Sequence, residues 1–128
     1  MSNPELLENN KILYIDNDPD NSSLIKRVLE ADGYLVLLAP NGREGLTQAY
    51  QERPNLILVD IHLHGLDGYE VARRLRQMDH IRHIPILAVS TSGNPEDKVL
   101  SKKVGCNDYI VKPIDVDHIS EQIAAFLY

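Results

Sequence analysis

Residues 55–68 read NLILVDIHLHGLDG, and this stretch decides the fold. Leu56, Ile57, Leu58 and Val59 run without polar interruption into Asp60. A short unbroken apolar run bounded by turn residues predicts a strand buried on both faces, the kind built into parallel sheets. Asp60 stands where the run stops, at the strand's carboxyl end, and Gly65, Asp67 and Gly68 follow as a loop. In open α/β sheets, ligands bind outside the carboxyl ends of the strands. A carboxylate there is a candidate nucleophile or metal ligand. Taken alone, the plainer reading is a side chain that ends a strand and caps a turn.

The same pattern recurs on either side. Ile12–Ile15 is an apolar run ending at Asp16, and Leu35–Leu38 is a second that continues through Ala39. Ile84–Val89 ends at Ser90, and Tyr109–Val111 ends at Lys112-Pro113. Between the runs the periodicity is helical. Asp18, Pro19 and Asp20 give cap, first position and dipole complement for a helix whose apolar face is Leu24, Ile25, Val28 and Leu29, stopped by Gly33. Asn41 with Glu44 resembles a capping box for the next helix, with Leu46, Ala49 and Tyr50 inward and Pro54 as its end. Val71, Ala72, Leu75 and Met78 mark a third helix, with Arg73, Arg74 and Arg76 read as its solvated face. Asn94–Asp97 opens a fourth, whose thin apolar face (Val99, Leu100, Val104) predicts a partly exposed, mobile helix ending at Gly105. Asp115 is placed to cap a last helix with Val116, Ile119, Ile123, Phe126 and Leu127 inward. Strand and helix alternate throughout, which predicts a doubly wound five-stranded parallel α/β sheet with helices on both faces. Residues 11–128 read as a single domain after a loose lead-in over residues 1–10, with no output domain.

Composition narrows the function classes. At 128 residues the chain suits one core, and 43% apolar with 25% charged residues is ordinary for a globular domain. A formal net charge of −6 disfavours direct nucleic-acid or anionic-membrane binding. The single cysteine, Cys106, precludes an internal disulfide and reads as a small buried hydrophobe. No secretion signal or membrane-length apolar run is visible, so a cytoplasmic location is expected.

Parallel topology gathers the strand ends along one edge. There it would deliver Asp16 and Asn17, then Asp60, Ser90 and Lys112: two carboxylates, an amide, a hydroxyl and an ammonium. Clustered carboxylates repel unless a cation bridges them, and hard oxygen donors suit Mg²⁺. With an ammonium and a hydroxyl to meet an anion, the set is what phosphoryl transfer to a carboxylate requires.

From about residue 11 onward the chain resembles the receiver domain of two-component response regulators, in ILYIDND, NLILVDIHLHGLDGYE, PILAVST, GCNDYIVKPID and the spacing between them. The resemblance implies the flavodoxin-like strand order 2-1-3-4-5, one of the two common orders of doubly wound sheets. It implies a stand-alone signalling module, not a metabolic enzyme, phosphorylated on Asp60 by a sensor histidine kinase or phosphotransfer protein. It further implies Mg²⁺ held by Asp16, Asn17, Asp60 and the His62 backbone carbonyl, a phosphoryl contact from Lys112, a cis Lys112-Pro113 bond, and Ser90 and Tyr109 as switch residues. The readout surface, and the face of a homodimer if one forms, would be the fourth helix, fifth strand and fifth helix, meeting a separate effector protein.

Three departures carry consequences. Asn17 stands where the family usually has an acid, so weaker Mg²⁺ affinity is expected; nearby Asp18 reads as a helix cap rather than a replacement ligand. His64 replaces the usual proline and makes an H-x-H pair with His62; a third metal ligand is not evident, so both read as solvated loop histidines that would make phosphorylation pH-sensitive between about pH 6 and 7.5. Thr91 replaces the smaller residue usual after the switch hydroxyl and is expected to narrow access to Asp60. Two other readings stay open. One is a degenerate receiver that binds partners without phosphorylation. The other is a haloacid-dehalogenase-like phosphatase using Asp16 as nucleophile and Asp18 as acid, against which stand the short chain, the lack of a cap domain and the missing later acid pair. A calcium loop starting at Asp16 is excluded because its twelfth position is Arg27.

Overall fold

A computed structural model describes residues 10–63 and 65–128. Most of the N-terminal lead-in, and His64, lie outside them. The strands are β1 (Lys11–Ile15), β2 (Leu35–Ala39), β3 (Leu56–Asp60), β4 (Ile86–Ser90) and β5 (Asp108–Val111). The helices are α1 (Pro19–Ala31), α2 (Gly42–Glu52), α3 (Gly68–Leu75), α4 (Pro95–Lys103) and α5 (Ile119–Leu127). All strands pair in parallel in the order β2-β1-β3-β4-β5, as expected. The chain winds outward from β1 to β2, then crosses back so that β3 pairs β1 on its other side. That reversal opens the crevice in which doubly wound sheets place their sites.

Every residue of β3 and β4 is buried, which explains why their sequences run apolar without alternation. The strand period of two still sorts side chains to opposite faces. Leu13, Ile15, Ile57, Val59, Ile86 and Ala88 pack with Ala49, Val71, Ala72, Leu75 and Val104 under α2, α3 and α4. Ile12, Tyr14, Leu56, Leu58, Leu87, Val89 and Ile110 pack with Ile25, Leu29, Ile119 and Ile123 under α1 and α5.

The expected caps are present at α1, α2 and α4, and Asp67, read only as part of a loop, caps α3. Asp18 accepts the Asp20 and Asn21 N–H groups at α1, Asn41 accepts the Glu44 N–H at α2, Asp67 the Glu70 N–H at α3, and Asn94 the Glu96 N–H at α4. Beyond α1, Gly33 takes a positive φ of 94° and donates to Glu30 O. The fifth helix differs from expectation. Asp115 caps a turn over residues 116–118 through the Asp117 N–H and the His118 ring, and α5 begins only at Ile119, with no side-chain cap from His118.

Three apolar side chains assigned inward lie outward: Leu24, Tyr50 and Val116 are exposed. Met78 falls past the end of α3 in a turn, half-buried against the core. In α1 the slot beside Ile25 and Leu29 is filled instead by Ser22, which is buried. The arginines of α3 also divide. Arg73 and Arg74 are exposed and pair with Glu70, but Arg76 is half-buried and donates to the carbonyls of Gly105, Ile81 and Ile84 and to Asn107 Oδ1. Arg76 is therefore a tie between loops, not part of a solvated face. As expected, Val99 and Leu100 leave α4 with an exposed apolar side, and Cys106 is buried, its thiol pushed up to about 11 by desolvation.

Candidate functional site

The end of β1 holds the first carboxylate. The Asp16 N–H still donates to Ala39 O, so its backbone belongs to the sheet edge and its side chain turns down into the crevice. That side chain is fully enclosed. Its Oδ2 accepts from Tyr14 OH at 2.6 Å, from Asn21 Nδ2 at 2.9 Å and from Lys112 Nζ at 2.9 Å, and its Oδ1 accepts from the Asp18 N–H at 2.9 Å. Burial works to raise the Asp16 pKa, but the bonds from Tyr14, Asp18, Lys112 and Asn21 outweigh it and hold the carboxyl below its ordinary value. Burial, reinforced by the bond to Asp16, pushes the Tyr14 phenol well above its ordinary range, so Tyr14 acts as a neutral donor.

The end of β3 holds the second carboxylate. Asp60 Oδ1 accepts the His62 N–H at 2.8 Å, and Oδ2 accepts from Lys112 Nζ at 3.0 Å. Unlike Asp16, its side chain keeps 7% exposure, so Asp60 is the carboxylate an incoming group can reach. Gly68 makes this packing possible. A Cβ there would lie 2.3 Å from Asp60 O and 2.4 Å from Ile61 Cα, so the start of α3 meets the strand end backbone to backbone.

Lys112 reaches the pair from the end of β5, where the Lys112-Pro113 bond is cis. Desolvation works to lower its pKa, but the bonds to Asp16 and Asp60 more than reverse this and raise it. One ammonium thus bridges two carboxylates delivered by neighbouring strands. Ser90 ends β4 on the same edge, paired with Val111 across the sheet. It is fully buried, and its Oγ accepts the Ser92 N–H at 3.0 Å rather than meeting Asp60. Tyr109 is half-buried, and its hydroxyl donates to Ser92 O at 2.5 Å. Both switch candidates are therefore tied to the same β4–α4 loop. Thr91 and the His62 side chain are exposed. His64, the other half of the H-x-H pair, lies outside the described residues.

Asn17 lines, with Asp16, a notch of about 270 Å³ between the start of α1 and the β2–α2 connection. The expected ligands, of which Asp16 and Asn17 line this notch, are hard oxygen donors throughout: two carboxylates, an amide and the His62 carbonyl. That set fits Mg²⁺ in kind, although one neutral ligand replaces a charged one. Asp18 is occupied with α1, so it does not replace the missing acid.

Sequence reasoning placed Asp16, Asp60, Ser90 and Lys112 on one edge, and the structure joins three of them directly. It missed Tyr14 and Asn21. Tyr14 is the one polar-tipped residue inside ILYI, and a hydroxyl in a buried run needs a partner. That was the available signal.

Known proteins share this sequence pattern and fold. A family model described as the response regulator receiver domain matches residues 12–124. Protein PilH of Pseudomonas aeruginosa is 36% identical over 117 residues, covering 91% of this chain and 97% of PilH. The chemotaxis protein CheY4 of Vibrio cholerae superposes with a TM-score of 0.89 at 28% identity, covering 92% of this chain and 98% of the other. A receiver domain of a Pseudomonas aeruginosa sensor histidine kinase, solved with a magnesium ion coordinated in its active-site cleft, gives a TM-score of 0.85 at 29% identity, covering 92% and 97%. With the wound sheet, the bridged carboxylates at its edge and a family match over most of its length, the chain belongs to the response regulator receiver domains.

Proposed function

We propose that this receiver accepts a phosphoryl group on Asp60 from a phosphohistidine of a sensor histidine kinase or phosphotransfer protein, in a magnesium-dependent reaction, and thereby switches its contacts with a separate effector protein. The observation that carries this reading is the Lys112 bridge, 2.9 Å from Asp16 and 3.0 Å from Asp60, drawn from the ends of β1, β3 and β5. An Asp60 carboxylate oxygen forms the new bond to phosphorus as the phosphorus–nitrogen bond breaks and the imidazole leaves with the electron pair. Lys112 already lies against Asp60 and is placed to neutralise phosphoryl oxygens as they arrive. Asp16, Asn17, Asp60 and the His62 carbonyl would hold Mg²⁺. When bound, the ion adds positive charge against the phosphoryl oxygens. A magnesium-containing receiver among the similar structures supports that assignment.

The chain modifies its own side chain and is not a metabolic enzyme. Ser90 and Tyr109 share the Ser92 segment, so a hydroxyl drawn toward an aspartyl phosphate disturbs the anchor of Tyr109 at the same time. The readout falls on α4, β5 and α5, where Val99, Leu100, Val111 and Val116 are exposed, and the same face would serve a homodimer. Among the described residues no helix is long and apolar enough to cross a membrane.

The test is whole-protein mass spectrometry after exposure to a small-molecule phosphodonor, with and without Mg²⁺. The reading requires one added phosphoryl group on the parent chain with Mg²⁺ and none on Asp60→Asn. A parent chain that stays unmodified while still binding an effector favours the phosphorylation-independent alternative, for which Asn17 is the specific motive.

A further inference from the structure

Residues 91–100, the turn after β4 and most of α4, lie almost wholly in solvent. Ser92 and Asp97 are half-buried, and every other residue of the stretch is exposed. Among the described residues, two side chains from outside β4 and α4 hydrogen-bond into it, and they meet those same two residues. Tyr109 donates to Ser92 O at 2.5 Å, and Tyr69 donates to Asp97 Oδ1 at 2.8 Å. Within α4 only Ser101 is buried, with Val104 just past its last turn, so burial anchors the far end of the helix and not its start. The start is held by two phenolic hydroxyls.

Tyr109 belongs to the switch described above, and Tyr69 does not. Tyr69 follows Gly68, which meets Asp60 O backbone to backbone and donates its N–H to Ile61 O at 3.3 Å. The Tyr69 side chain packs, half-buried, against the core under α2, α3 and α4. Burial, with the bond to Asp97, pushes its phenol above the ordinary range, so it stays a protonated donor. We propose that Tyr69 is a positioning residue for α4: its hydroxyl latches the start of that helix to the strand end carrying Asp60, beside and separate from the Ser90–Tyr109 connection. A displacement of the β3 end moves the ring that holds α4. The latch stands on the bond itself, and its service to signalling rests on the reading of Asp60 as phosphoacceptor.

Hydrogen exchange of the whole chain, read peptide by peptide in the mass spectrometer, tests this with the parent, Tyr69→Phe, Asp97→Ala and the double variant. Tyr69→Phe keeps the ring and removes the donor. The α4 amides should exchange about tenfold faster in it than in the parent, while those of β1 and β3 keep their rates. Asp97→Ala also takes an acid from the first turn of α4, so the double variant isolates the pair: adding Tyr69→Phe to Asp97→Ala should bring no further change. Parent-like α4 rates in Tyr69→Phe overturn the proposal, as does acceleration spread evenly over the sheet or a double variant in which the two effects add. The same exchange in acetyl phosphate and Mg²⁺ tests the link to Asp60. The α4 amides should speed up in the parent and change less in Tyr69→Phe. An equal response in both chains, or none in a parent that carries the phosphoryl group, overturns that link. A parent that takes no phosphoryl group overturns the phosphoacceptor reading and leaves the latch to be judged on the first experiment.

Discussion

Two aspartates sit a few ångströms from one ammonium, and their surroundings give them different work. Asp16 has no exposed side-chain surface and four donors, three of them on Oδ2, while Asp60 keeps an opening and fewer bonds. On the proposed reading Asp60 is the carboxylate that receives the phosphoryl group, and the enclosure of Asp16 argues against it as a phosphatase nucleophile. Asn17 is the residue at which charge can be restored. Asn17→Asp adds a second carboxylate to the notch it shares with Asp16, and magnesium affinity should rise about tenfold or more by calorimetric titration. Unchanged affinity would mean Asn17 is not a ligand. How far single residues could be read from sequence follows the same division. Asp16, Asp60, Ser90 and Lys112 each end an apolar run, and run ends are legible. Tyr14 lies inside a run, and its partner is set by how α1 docks, which no local pattern records. Arg76 finds its acceptors among backbone carbonyls of two other loops, and carbonyls leave no mark in a sequence.

The elements were legible wherever a cap or an apolar stripe fixed them, and less so at their ends. The start of α5 shifted because Asp115 found partners in the turn ahead of it, Asp117 and His118, rather than in a helix. The inward assignments of Leu24 and Tyr50 failed because helices of this size bury a narrower stripe than their apolar residues mark. Two predictions belong here. Gly68→Ala drives a methyl group into Asp60 O and Ile61 Cα, so α3 must back away from the strand end. A stability loss of about 1–3 kcal/mol is expected in urea unfolding, with slower phosphorylation of Asp60 because its backbone moves. Arg76→Met keeps the stem and strips the donors from the carbonyls of Gly105, Ile81 and Ile84. Leaving those acceptors short should lower stability by about 2–3 kcal/mol in the same measurement.

For the whole molecule, the sheet divides two cores and gathers charge at one edge, so stability and signalling chemistry meet at Asp16 and Lys112. The Asp16 carboxyl is held below its ordinary value of 3.8, so the stability it contributes is present above that pH and is lost as pH falls through the lower folded-state value. The Lys112 pKa is raised above 10.5, so its contribution is present below that pH and is lost as pH rises through the higher folded-state value. Urea midpoints measured against pH should therefore decline at both extremes. Asp16→Asn should flatten the acid limb below about pH 3.8 relative to the parent. An acid limb identical in parent and variant would show that Asp16 keeps an ordinary pKa in the folded chain.

The central claim is that the sheet edge directs one phosphoryl group to one carboxylate, and peptide-resolved mass spectrometry of the phosphorylated chain tests it most directly. The group should appear on the fragment carrying Asp60 and be absent from the fragment carrying Asp16. A phosphoryl group on Asp16, or full labelling of Asp60→Asn, would contradict the account.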